Sequence, residues 1–158
     1  PHGVPRNVKL ERGFLTMDFG CILNGYCSDM TRTVSVGKAD EEMKKVYNTV
    51  LRAQTAAIDF IREGVLCCDA DKVARDIIDA DYKGYFGHSL GHGVGMYIHE
   101  EPRLSARCTM VLKVGHVVTV EPGIYIPGKY GVRIEDMMQI TSSGAIDITK
   151  SPKNLIEI

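Results

Sequence analysis

At 158 residues, 44% hydrophobic and 25% charged, the chain has the make-up of a single globular domain long enough to bury a core. Nineteen basic against twenty acidic residues leave a net charge of -1, which offers nucleic acid or an anionic membrane no electrostatic footprint, so neither is expected as a partner. No apolar run approaches the roughly 18 residues of a membrane span, PHGVPRNVKLERG at the start holds no secretory core, and five cysteines without zinc-ribbon spacing read as reduced thiols; a cytoplasmic protein is expected.

Gly13 to Phe19 alternates Phe14, Thr16 and Asp18 with Leu15, Met17 and Phe19, which predicts a strand with a carboxylate near its end. Asn24-Gly25 predicts a tight hairpin, and a second strand follows from Tyr26 through Val36. Asp18 and Asp29 flank that turn at similar distances, so pairing brings two carboxylates together. They repel unless a cation lies between them; solvated strand-end aspartates are the alternative. Asp40 to Glu63 has the apolar spacing of a helix, capped by Asp40 and stopped by Gly64. A shorter helix is expected from Asp69 to Asp79, without a glycine at its C-terminus.

The stretch YFGHSLGHGVGMYIHE, residues 85–100, holds three of the five histidines. Glycines at 87, 91, 93 and 95 argue against a continuous helix and for an extended run pressed closely against another strand or a ligand in a cleft. A satisfied polar surface is the alternative for any one of these histidines. Arg103 to Val114 reads as a loop, and Val117 to Val120 as a strand delivering Glu121 just before Pro122-Gly123. YGVRIEDMMQIT reads as one further strand with Glu135 in its middle, partly buried and in need of a partner.

Asp18, Asp29, His92, Glu121 and Glu135 are thus four carboxylates and one imidazole on strands or strand edges. Such an oxygen-rich set suits two divalent cations, with Mn²⁺, Fe²⁺ and Co²⁺ favoured over a thiolate-loving site. A pair of ions about 3.5–4 Å apart lowers the pKa of a water and clamps the oxygens of a hydrolytic transition state. The implied chemistry is metal-assisted hydrolysis.

In order along the chain, DFGCILNGYCSDMTRTV, GHSLGHGVGMYIHEEPRLS, VVTVEPGIYIPG and GVRIED resemble the motif blocks of the pita-bread metallopeptidases, family M24. The EPGIYIP and VRIED blocks and the ending ITKSPKNLIEI are similar to those of Xaa-Pro aminopeptidases and prolidases. The resemblance implies an α+β, creatinase/aminopeptidase-like pita-bread fold in a single domain, residues 1–158. Family catalytic domains carry helices and strands ahead of the Pro-His at the start of this chain, so a truncated domain is expected, with one sheet face left apolar and exposed.

The resemblance also implies a site. Asp18 would hold one metal ion, Asp29 and Glu135 would bridge both, and His92 with Glu121 would complete the second. Mn²⁺ is the foremost ion, with Co²⁺, Fe²⁺ or Zn²⁺ as others. Glu121 would handle a proton and His99 would contact substrate beside the scissile bond. His2 and His88 would line the same pocket, and Arg133 stands beside the last ligand. For His88 and Arg133, support of the site is the alternative to direct contact. His116 matches no functional position. The implied substrate is a peptide with proline in second position, and homodimers are common in the family. An inactive fragment, or a non-catalytic peptide- or protein-binding module of the same fold, is the competing reading.

Overall fold

The alternating run at the start forms β1 (Gly13–Phe19), and the computed structural model, which describes residues 3–5 and 7–158, pairs it antiparallel with β4 (Met30–Val36). Between them β2 (Ile22–Leu23) and β3 (Tyr26–Cys27) form a small hairpin around Asn24 and Gly25, both at positive φ. The expected strand from Tyr26 through Val36 is therefore broken at Ser28-Asp29. The cause is a close crossing of backbones: a Cβ at Gly20 would lie 1.9 Å from the Ser28 carbonyl oxygen, and Ser28 N–H donates to Cys21 O at 2.8 Å. The register then sets Asp18 opposite Thr31. Asp29 is left in the break, outside any strand.

Helix α1 (Glu41–Phe60) starts where expected. The Asp40 carboxylate accepts from Met43 N–H at 2.9 Å, a cap worth about 1 kcal/mol. It ends before Glu63 because Ile61 leaves the helix in an extended conformation and the next amides bond elsewhere, Glu63 N–H to Thr141 O and Gly64 N–H to Leu112 O. Helix α2 (Cys67–Tyr82) extends past the predicted Asp69–Asp79 at both ends. A glycine does close it: Gly84, at φ +82°, turns the chain and donates its N–H to Asp79 Oδ1.

The remaining strands build an antiparallel sheet in the order β11 (Ala145–Asp147), β10 (Asp136–Ile140), β7 (Val117–Val120), β5 (Gly91–Gly93), β6 (Glu100–Leu104). Arg103 and Leu104, expected in a loop, are thus the end of an edge strand. A separate hairpin joins β8 (Gly123–Ile126) to β9 (Tyr130–Arg133). The expected single strand through YGVRIEDMMQIT breaks at Ile134-Glu135, where Glu135 instead pairs by backbone with Thr31 of β4, its N–H on Thr31 O at 3.1 Å. This bridge joins the first hairpin to the five-stranded sheet.

Both helices pack on one another and over the strands, and Val46, Val50, Ala57, Ile78, Leu90, Val118, Ile134 and Met138 belong to a single buried cluster. Behind Glu135 the fully buried Asp136 accepts from Arg32, Gln54 and Lys153 at 2.6–2.7 Å, while Arg32 also donates to the carbonyls of Ser151 and Pro152. That network clamps the C-terminal segment against β10. The opposite end is open: Phe19, Ile22, Leu23 and Tyr26 are each more than half exposed. Among the described residues no helix is long and apolar enough to cross a membrane.

Candidate metal centre

Two glycines decide where His92 stands. A Cβ at Gly91 would lie 1.9 Å from Thr119 O, and one at Gly93 would lie 2.5 Å from Glu101 O. Only glycine lets β5 squeeze between β6 and β7, and the histidine between them is held buried at 8% exposure. The ring is oriented by its own strand. Its Nδ1 lies 3.0 Å from Gly93 O, and a carbonyl can only accept, so Nδ1 carries a proton and Nε2 is the nitrogen that faces the cavity. There Nε2 lies 3.2 Å from Glu121 Oε1 and 3.7 Å from Asp29 Oδ2.

Each carboxylate arrives from a different break or strand end. Asp18 comes from the end of β1, Asp29 from the gap before β4, Glu121 from the residue after β7, and Glu135 from the β9–β10 break. With His88, His92, His99 and Arg133 they line one cavity of about 280 Å³, into which Ser89 and Arg103 also project. Asp29, His92 and Glu135 each offer one ligand atom, and these three atoms lie within 4.8 Å of one another. Donors of this kind and spacing fit a divalent cation.

The electrostatics point the same way. Burial, followed by the neighbouring charges of Glu121 and Asp29, pushes Glu135 up to about 9. Burial and then Asp18 raise Asp29 to about 6. Burial works in the same direction on Glu121 and is the largest single influence, but the hydrogen bond and charge of His92, with His88 and Thr119, together outweigh it and the carboxyl falls below its ordinary value. For His92 burial, the largest influence, opposes charge, but the bonds to Glu121 and Gly93 O with the charges of Glu121 and Asp29 together outweigh it, so the imidazole is raised. Acids crowded in this way hold either protons or a cation.

Around the acids runs a shell of side chains that hold them. Arg133 donates to Asp18 Oδ2 at 2.6 Å, to Tyr125 Oη at 2.9 Å and to Thr31 Oγ1 at 3.1 Å. Thr31 in turn donates a hydrogen bond to Glu135 Oε2 at 2.6 Å. His88 is engaged at both nitrogens: Nδ1 donates to Ser89 O, so Nε2 accepts from the Tyr125 hydroxyl at 2.9 Å, and burial keeps the ring neutral by lowering its pKa. His99 stacks edge-on against His92 with centroids 4.4 Å apart. His2 lies outside the described residues. His116 accepts from Lys113 N–H in a turn and does not line the cavity.

The structure thus brings eight of the nine sequence-predicted residues to one cavity. Thr31, Thr119, Tyr125 and Arg103 were not singled out from the sequence. Threonines in a strand carry no special mark, but Arg103 had a signal in its place four residues after His99.

The family model for metallopeptidase family M24 matches residues 1–142. The chain belongs to metallopeptidase family M24. Among M24 relatives it is 48% identical over 158 residues to an Xaa-Pro dipeptidase of Pyrococcus furiosus, covering 99% of this chain and 45% of that protein. Its fold superposes on an Xaa-Pro dipeptidase from Bacillus anthracis with a TM-score of 0.97 at 51% identity, covering 100% of this chain and 45% of the other. The corresponding values for an X-Pro aminopeptidase from Thermotoga maritima are 0.96, 41%, 100% and 45%. The fold is therefore the pita-bread fold of these M24 enzymes, and the chain spans about 45% of the length of the curated relatives it matches.

Proposed function

We propose that this M24 chain carries a two-ion peptidase site that hydrolyses the bond between an N-terminal residue and proline, as in an Xaa-Pro aminopeptidase or an Xaa-Pro dipeptidase. The observation that carries the reading is the convergence of Asp18, Asp29, His92, Glu121 and Glu135 on one cavity, in a chain similar over its whole length to enzymes of both names.

In this reading Asp29 and Glu135 would serve both ions, Asp18 would hold the first, and His92 with Glu121 would hold the second. Manganese is the proposed ion, with cobalt, iron or zinc as competitors. Such a pair supplies, when bound, a polarised carbonyl and a water of lowered pKa. The protein does the rest. Glu121 takes and returns a proton at its carboxylate, because the hydrogen bond to His92 keeps it ionised. His99, stacked on His92, meets the peptide beside the scissile bond. Arg133 keeps Asp18 aimed inward, and Tyr125 keeps His88 fixed against the wall, with substrate contact as the further role of His88 and Arg133. The substrate is a peptide with proline in second position. A cytoplasmic setting accords with five unpaired cysteines. A homodimer is the proposed assembly, on the resemblance to the family alone.

The test is metal content together with Mn²⁺-dependent cleavage of an Xaa-Pro peptide by the 158-residue chain. Two ions and proline-dependent cleavage support the proposal. Two ions without cleavage give the chain a binding role in place of a catalytic one, and no ion uptake overturns the metal reading.

A further inference from the structure

We propose that Thr119 is a positioning residue that locks His92 and Glu121 into one geometry, and thereby sets the affinity of one of the two ion positions. The inference rests on the two-ion reading above and adds a determinant of its strength.

Thr119 is fully buried on β7. Its hydroxyl has two partners whose roles admit one arrangement. The backbone N–H of His92, 3.1 Å away, can only donate, so Thr119 Oγ1 accepts there. With that role taken, the hydroxyl proton points to the Glu121 carboxylate oxygen Oε1, 3.0 Å away, which accepts it. That same Oε1 stands 3.2 Å from His92 Nε2. The result is a closed circuit: His92 backbone to Thr119 hydroxyl, hydroxyl to Glu121 carboxylate, carboxylate back to the imidazole of His92. The circuit ties the histidine at both ends.

The surroundings leave the hydroxyl no second position. Gly91 lies against it so closely that a Cβ there would come within 2.8 Å of Oγ1, and the strand pairing of Gly93 with Val118 holds β5 to β7 on the cavity side. A carboxylate left without this donor swings about its side-chain torsions, and the distance from Oε1 to Nε2 is no longer fixed. Other donors hold the other acids, Thr31 on Glu135 and Arg133 on Asp18, both at 2.6 Å. Loss of the Thr119 hydroxyl therefore falls on the His92 and Glu121 position alone. Partners of this kind typically contribute about 10–100-fold in metal affinity.

The experiment is calorimetric titration of the metal-stripped 158-residue chain with Mn²⁺, alongside thermal melts of the metal-free protein, for wild type, Thr119→Val and Thr119→Ser. Valine keeps the branched shape and removes the hydroxyl; serine keeps the hydroxyl and opens a methyl-sized void. The expected result is that Thr119→Val weakens one of two binding steps by about 10–100-fold and leaves the other unchanged. Thr119→Ser binds as wild type although it melts lower. Binding losses that track the melting temperature across both variants overturn the proposal in favour of a purely structural threonine. Should Thr119→Val not fold, Thr119→Ala is titrated in its place, and wild-type binding there also overturns it. Two Mn²⁺ bound equally by wild type and Thr119→Val overturn the positioning role alone; a wild-type chain that binds no Mn²⁺ takes the two-ion reading with it.

Discussion

Thr31 and Glu135 meet twice: their backbones form an isolated antiparallel bridge, and the Thr31 hydroxyl donates to Glu135 Oε2 at 2.6 Å. This double contact ties the β1–β4 pair to the segment that enters the five-stranded sheet, and it fixes the carboxylate proposed to span both ions. With Asp29 as the second proposed bridge, Asp29→Ala and Glu135→Ala are each expected to lose both ions, whereas loss of a single-ion ligand spares one. Elemental analysis after dialysis checks this. Two full equivalents retained in Asp29→Ala would sink the bridging assignment.

The titration of the acids predicts how stability of the metal-free chain varies with pH. Glu135 is raised from 4.5 to about 9 and Asp29 from 3.8 to about 6, so between these limits the native state holds more protons than the unfolded state. Stability from these groups is complete below the unfolded values and is lost as pH rises through the folded ones. The raised His92 adds to the same trend, while the lowered Glu121 acts only on the acid side of 4.5. The melting temperature of the stripped chain should fall from about pH 5 to about pH 9, and Mn²⁺ should remove the slope by displacing the protons. A metal-free melting temperature that climbs across this window contradicts the assignment.

Arg133 touches three members of the site, so Arg133→Ala should cost about 2 kcal/mol, less than a fully buried pair because Asp18 is 38% exposed. Both ions should still bind while turnover drops. Urea unfolding and metal analysis on one preparation decide it, and an unchanged unfolding midpoint rejects the structural part.

Gly91 and Gly87 make a matched pair. A Cβ at Gly91 collides with the backbone of Thr119, while one at Gly87 meets nothing within 4 Å. Gly91→Ala is expected to destabilise by about 1–3 kcal/mol or more through overpacking and to weaken ion binding, with Gly87→Ala close to wild type. Comparable melts for the two would show that β5 and β7 can separate freely.

What could be seen in the chain beforehand divides along physical lines. The helix from Glu41 and its Asp40 cap are local features, written in a period of three and four and in one side chain at the right place. Asp18 and Glu121 were legible because each stands at a strand end beside a turn, while Asp29 and Glu135 stood out as acids expected within strands. The breaks at Ser28-Asp29 and Ile134-Glu135 were not, since each is imposed by a partner outside the strand's own period: the first by the Gly20 crossing, the second by Thr31, 104 residues earlier. A local period cannot record such a partner. Asp18 and Asp29 do share a cavity, but through an interrupted hairpin, with Asp18 opposite Thr31. Thr31, Thr119 and Tyr125 were passed over for a related reason, because a hydroxyl shows its importance only through what lies across from it.

The bridge between Thr31 and Glu135 also sets a timetable. During synthesis Asp18 and Asp29 leave the ribosome about a hundred residues before Glu135, and His92 and Glu121 emerge in between. The early hairpin can therefore form and wait with its two acids facing solvent, but it has no means of capturing an ion tightly on its own. On the two-ion proposal, cation loading would be one of the last events of folding, and a chain that had taken up its ions would be one whose β10 had already docked.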